Sequence, residues 1–119
     1  MINKSILVGR LGADPTVRYT NDGKMITSFD LATSEKWKDE EHTEWHKCVT
    51  FGKLAEICGN YLKKGALIYF EGRSQTRSWE DKEGVKRYTT EVVGVTMKML
   101  ERKQSGEQGQ DNYDPDVPF

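Results

Sequence analysis

The feature that most limits what this 119-residue chain can become is a change of period inside one short stretch, Thr43 to Gly65. From Glu44 to Phe51 the residues alternate, which puts Trp45, Lys47, Val49 and Phe51 on one face of a strand and His46, Cys48 and Thr50 on the other. Gly52 breaks the strand. Leu54, Ile57, Cys58, Tyr61 and Leu62 then recur at the i, i+3, i+4, i+7, i+8 spacing of a one-sided helix. Lys63 and Lys64 fall where they would complement the helix's C-terminal dipole, and Gly65 where a left-handed cap is expected.

A further strand from Leu67 makes this the middle of a small barrel of the oligonucleotide-binding (OB) type, and the flanking segments extend it. Asn3 to Gly12 is rich in Ile, Leu and Val and is stopped by Gly12 to Pro15, with Val17 to Thr20 as its resumption. Asn21-Asp22-Gly23 is a hairpin signal, and the strand from Met25 to about Ser34 turns Phe29 and Leu31 inward. Glu35 to Thr43 is so charged that it predicts a mobile loop, with Trp37 in it. Leu67 to Trp79, a polar turn at Glu80 to Gly84, and Val85 to Leu100 predict a long final hairpin with Gly94 as a bulge. The expected fold is all-β with one short helix, a five-stranded Greek-key OB barrel over residues 1–100. The chain is long enough for one such core and not for two.

From Glu101 onward apolar periodicity ends, giving a flexible linker at 101–113 and an acidic tip at 114–119, together a disordered acidic tail. The net charge of −1 conceals a division. Residues 1–103 hold all 18 basic residues and carry +3, whereas the remainder carries −4 from Glu107, Asp111, Asp114 and Asp116. The first apolar run is too short for a secretory segment and no later one reaches membrane-spanning length, so a cytoplasmic protein with no membrane partner is expected. Cys48 and Cys58 read as small buried apolar groups in a reducing compartment.

Three surplus tryptophans beside basic residues point to a chemistry of binding. Single-stranded nucleic acid offers base faces and phosphate charge, and Trp37, Trp45, Phe51 and Trp79 with Lys47, Lys53, Lys64 and Arg77 meet both. TEWH, FGKLAEI, YLKKG, EGR, TRSWEDKEG and RYTTEVV, in this order and spacing, resemble the bacterial single-stranded DNA-binding protein (SSB) family from Asn3 to Leu100. The resemblance implies base stacking on the four aromatics, a homotetramer in which the first strands pair between subunits, and His46 at a subunit contact. It also implies sequence-independent protection of single-stranded DNA during replication, recombination and repair. DPDVPF resembles the family's partner-recruiting tip. Phe119 would fill a pocket beside Val117 and Pro118 while Asp114 and Asp116 steer approach, although Pro115 among the acids departs from the pattern.

Other chemistries fit poorly. His42, His46, Cys48 and Cys58 could be imagined as zinc ligands, but His46 is on a strand and no Cys-x-x-Cys knuckle accompanies it, so no metal or other cofactor is expected. Asp30, Glu71 and Glu91 could be imagined in a nuclease, yet neither a phosphate-cradling glycine loop nor a nucleophile elbow accompanies them, and no enzyme is expected. An adaptor that uses only its tail would leave the tryptophans without a purpose.

Overall fold

The structure, a computed structural model, describes residues 1–101. The tail beyond Glu101, with the expected tip residues Asp114, Asp116, Val117, Pro118 and Phe119, lies outside the described residues. Six strands and one helix follow in order: β1 Ser5–Leu11, β2 Thr16–Tyr19, β3 Met25–Trp37, β4 Glu40–Phe51, α1 Gly52–Tyr61, β5 Leu67–Glu80 and β6 Lys86–Met99. Their sheet order is β1-β5-β6-β4-β3-β2, and β1 also pairs with β3 at Arg10 and Leu11. That second pairing closes β1, β5, β6, β4 and β3 into the expected five-stranded barrel. The Val17 to Thr20 segment falls in a separate edge strand on β3, set apart from β1 by residues 12–15, which bend at Gly12 and Ala13.

Inward positions come from every barrel strand: Leu11, Phe29, Leu31, Cys48, Ile68, Phe70 and Val92, with Cys58 and Leu62 beside α1. Phe29 and Phe70 meet edge to face at 5.3 Å, the favoured contact of two aromatic quadrupoles. Of two buried threonines, Thr27 ties β3 to the helix and Thr50 ties β4 to β3. Thr27 Oγ1 donates to the Ala55 carbonyl at 2.7 Å and Thr50 Oγ1 to the Thr27 carbonyl at 2.9 Å, so neither hydroxyl is buried without a partner.

The helix differs from expectation at one edge. Its buried stripe runs through Ala55, Cys58 and then Leu62, so Tyr61 falls to the solvent side, 62% exposed. Nor does Gly65 cap the helix, which ends at Tyr61 with the chain leaving extended through Leu62. The positive φ of Gly65 serves a turn in which the Ala66 N–H bonds the Lys63 carbonyl, and the Gly65 N–H pins this turn to Leu11 of β1. Lys63 and Lys64 therefore belong to that turn and not to the last turn of α1.

A larger difference is the Glu35 to Thr43 segment, which is a hairpin and not a loop. β3 and β4 stay in register out to Trp37↔Glu40, joined by Lys38 and Asp39 at φ of 54° and 64°. Two positive φ values are the signature of a twist-matched two-residue hairpin turn. The ribbon stands clear of the core, so neither face shows the apolar alternation that announces a strand. The β5–β6 hairpin is stopped at Asp81, whose carboxylate accepts the N–H groups of Glu83 and Val85, with Gly84 at φ 79°. Those backbone bonds, Val85's first, hold the Asp81 carboxyl below its ordinary range. β6 bulges at Val95, where Glu71↔Thr96 gives way to Gly72↔Gly94, beside the expected Gly94.

Barrel closure depends on a bare backbone. A Cβ at Gly9 would lie 2.2 Å from the Ala32 carbonyl oxygen, where β1 crosses β3, and no side-chain motion can relieve it. Gly9→Ala should therefore lower stability by about 3 kcal/mol, the upper part of the usual overpacking range. Urea unfolding measures this, and an unchanged midpoint would show that the crossing is not needed.

Candidate nucleic-acid interface

All four aromatics named from the sequence are at the surface: Trp37 60%, Trp45 58%, Phe51 52% and Trp79 43% exposed. A barrel this narrow is filled by Phe29 and Phe70 and has no room for them. Trp45 and Lys47 share a face of β4 as the alternation required, next to Asp30 and Ala32 of β3. Phe51 ends the same strand just before Gly52, whose φ of 63° turns the chain into the helix. Trp79 lies on β5 with Arg77, on the face that also carries Thr89 and Glu91 of β6. Its indole N–H donates to Thr89 Oγ1 at 2.9 Å, which fixes the ring's orientation.

These residues divide between two grooves. One, of about 660 Å³, runs between the two hairpins and brings together Lys47, Arg77 and Trp79 with Arg18 of β2. The second, of about 500 Å³, lies under the β5–β6 hairpin and brings Trp45 and the same Lys47 opposite Tyr88. Lys47, Thr89 and Glu91 line both. Trp37, Phe51, Lys53 and Lys64 line neither groove. Lys53 is in the first turn of α1, and Lys64 sits in the turn held by a bond from its N–H to Asp14 Oδ1 at 2.9 Å.

Trp37 differs from the other three. By register it lies on the face of the β3–β4 ribbon opposite Trp45, where its ring meets His42 at 5.8 Å and Lys38 Nζ sits 5.0 Å from its centroid. Arg18 and the 67%-exposed Tyr88 were missed in the sequence reading. Tyr88 was legible in RYTTEVV as an alternating aromatic, whereas Arg18 gains its place only from the pairing of β2 with β3.

The groups considered for other chemistry are dispersed. His46 Nε2 is 2.9 Å from Thr33 Oγ1, and His42 Nε2 is 3.7 Å from Glu40 at the ribbon tip. Burial pushes the Cys48 thiol up to about 12 and the Cys58 thiol up to about 11, so both are neutral core groups at neutral pH. Among the described residues no cluster of three His, Cys, Asp or Glu is placed to hold a metal ion. Glu71 is engaged by the Tyr69 hydroxyl at 2.7 Å and Lys4 at 3.3 Å, which lower its carboxyl's pKa, and it lies apart from Asp30 and Glu91. No helix among the described residues is long and apolar enough to cross a membrane.

Gly12 positions Trp45. A Cβ there would come within 2.4 Å and 2.6 Å of the far edge of the indole, so the ring lies over bare backbone. Gly12→Ala should swing the exposed ring aside at a stability cost of only about 1 kcal/mol, the low end for overpacking. With Trp37 and Trp79 replaced by Phe, the emission maximum of Trp45 should shift; an unmoved spectrum would refute the contact.

The Single-strand binding protein family pattern matches residues 2–100. A curated relative, "Single-stranded DNA-binding protein 1" of Xylella fastidiosa (strain 9a5c), is 52% identical, covering 87% of this chain and 80% of the relative. Among solved structures, "Plasmodium falciparum SSB complex with ssDNA" superposes with a TM-score of 0.78 at 30% identity, covering 85% of this chain and 96% of that one. With the barrel, both hairpins and the exposed rings in place, the chain belongs to the single-strand binding protein family.

Proposed function

We propose that the protein binds and protects single-stranded DNA without sequence preference, by stacking bases on Trp37, Trp45, Phe51 and Trp79 while Lys47, Lys53, Lys64 and Arg77 meet phosphates. The observation that carries this reading is the outward placement of Trp37, Trp45, Phe51 and Trp79, 43% to 60% exposed, on a barrel whose core buries Phe29 and Phe70. Stacking is worth roughly 1–3 kcal/mol per base and tolerates any base, since each has a π-face. Duplex DNA, whose bases are already stacked, is a poor ligand. The protein works by binding and not catalysis, in replication, recombination and repair, within a bacterial cytoplasm or that of a phage's host.

Assembly belongs to the same reading. From Ser5 to Gly9 one edge of β1 has no strand partner among the described residues, and Ile6 and Val8 are exposed on that strand. An open edge with apolar neighbours suits pairing with a second copy, the homotetramer with His46 at a subunit contact. Light scattering should give four times the 13.7 kDa chain mass, and a monomer would defeat the assembly. The tip, Asp114, Asp116, Val117, Pro118 and Phe119, recruits replication, recombination and repair enzymes. Deleting 114–119 should abolish their capture while leaving DNA binding intact.

Tryptophan fluorescence during titration with oligo(dT), oligo(U) and duplex DNA tests the central claim. Deep quenching by oligo(dT), weaker by oligo(U) and absent with duplex, is expected. No quenching at low or high salt would end the single-strand reading.

A further inference from the structure

The groove between the hairpins carries six charged residues, and they balance: Arg18, Lys47 and Arg77 against Asp14, Asp30 and Glu91. Two of the cations already have carboxylate partners. Arg77 donates through Nε and Nη2 to both oxygens of Glu91, at 3.2 and 3.3 Å, and the Glu91 side chain is only 15% exposed. Lys47 Nζ stands 3.9 Å from Asp30 Oδ1, on residues paired directly across β3 and β4. The arrangement is thus built by strand register, and both pairs face the same space.

We propose that Asp30 and Glu91 are internal counter-ions of this groove, setting how strongly and how salt-dependently it holds a phosphate backbone. This rests on the single-stranded DNA reading and specifies its electrostatics. A phosphate gains affinity when a protein cation replaces condensed solution cations, and log K then falls with log salt by about 0.7 per phosphate neutralised on a single strand. A cation carrying its own carboxylate delivers no net charge. Whether the carboxylate stays beside the cation or swings away, its charge remains in the complex and keeps a solution cation with it. Lys47 and Arg77 therefore orient the backbone by hydrogen bonds while contributing little to the salt slope, and base stacking carries the affinity. The geometry favours a groove that retains its strand as salt rises and does not over-bind when salt is low.

The test is oligo(dT) titration of the full chain across about 50 mM to about 1 M salt, comparing wild type with Asp30→Asn, Glu91→Gln and the double variant. Glu56→Gln, on the exposed side of α1 and outside both grooves, controls for a general change of charge. Each groove variant should bind several-fold tighter at low salt, with a slope steeper by about 0.7, and the double variant by about twice that. The gain should vanish toward high salt. Equal slopes for all variants would overturn the proposal, as would a Glu56→Gln slope as steep as theirs. Weaker binding by Glu91→Gln at every salt with an unchanged slope would also overturn it, making Glu91 a positioning residue for Arg77. Wild type that fails to bind oligo(dT) would instead refute the underlying single-stranded DNA reading.

Discussion

Everything outside the barrel is placed by the way the barrel closes. β1 reaches β3 only because Gly9 lets the two backbones approach at Ala32, and β5 passes β6 only because Gly72 does the same at Val93. Phe70 can fill the centre because Gly94 leaves its ring room. Closure brings β4 and β6 together in a short parallel pairing, Cys48↔Val92 and Val49↔Val93. From that junction two long ribbons diverge, β3–β4 and β5–β6. The groove lies between them, so its width follows from close backbone contacts at glycines that line neither groove.

A small closed barrel also decides where the aromatics go. Its interior is filled by Leu, Phe, Cys, Ile and Val side chains, with two rings already meeting at the centre. Ribbons beyond the barrel have no core face, so a tryptophan there stays at the surface unless something else covers it. Exposed indoles are costly to keep in water, since burying a large apolar side chain is worth about 1.5–3 kcal/mol. A fold that leaves Trp37, Trp45, Trp79 and Phe51 uncovered forgoes that gain, which is the physical sense in which they read as a binding surface.

Much of this was legible in the sequence, and what was not has a common cause. Period two through Trp45, Lys47 and Phe51 needs only local geometry, as do the Gly52 break and the turn at Gly23. The ribbon from Glu35 to Thr43 was illegible because alternation marks a strand only when one of its faces is buried. The ion pairs of Asp30 and Glu91 were illegible because their partners lie on other strands. Asp30 meets Lys47 by direct pairing, and Glu91 meets Arg77 by the diagonal left when Gln75 is its direct partner. Register across a sheet is a property of two segments together, which a pattern along either one does not reveal.

The opposed faces of Trp37 and Trp45 constrain the path of any strand that uses both. A straight strand lying along the groove would meet Lys47, Arg77 and Trp79 and would reach neither Phe51 nor Trp37. To stack on Trp37 as well as on Trp45 it must pass around the β3–β4 ribbon, because register puts the two rings on opposite faces. A ligand that follows such a path has to be flexible and unpaired, because a duplex is stiff over this distance. In the proposed tetramer each barrel would impose the same bend, and four linked sites would raise one another's effective concentration. Any wrapping of a strand around the proposed tetramer would then follow from the placement of Trp37 across the ribbon as much as from the assembly.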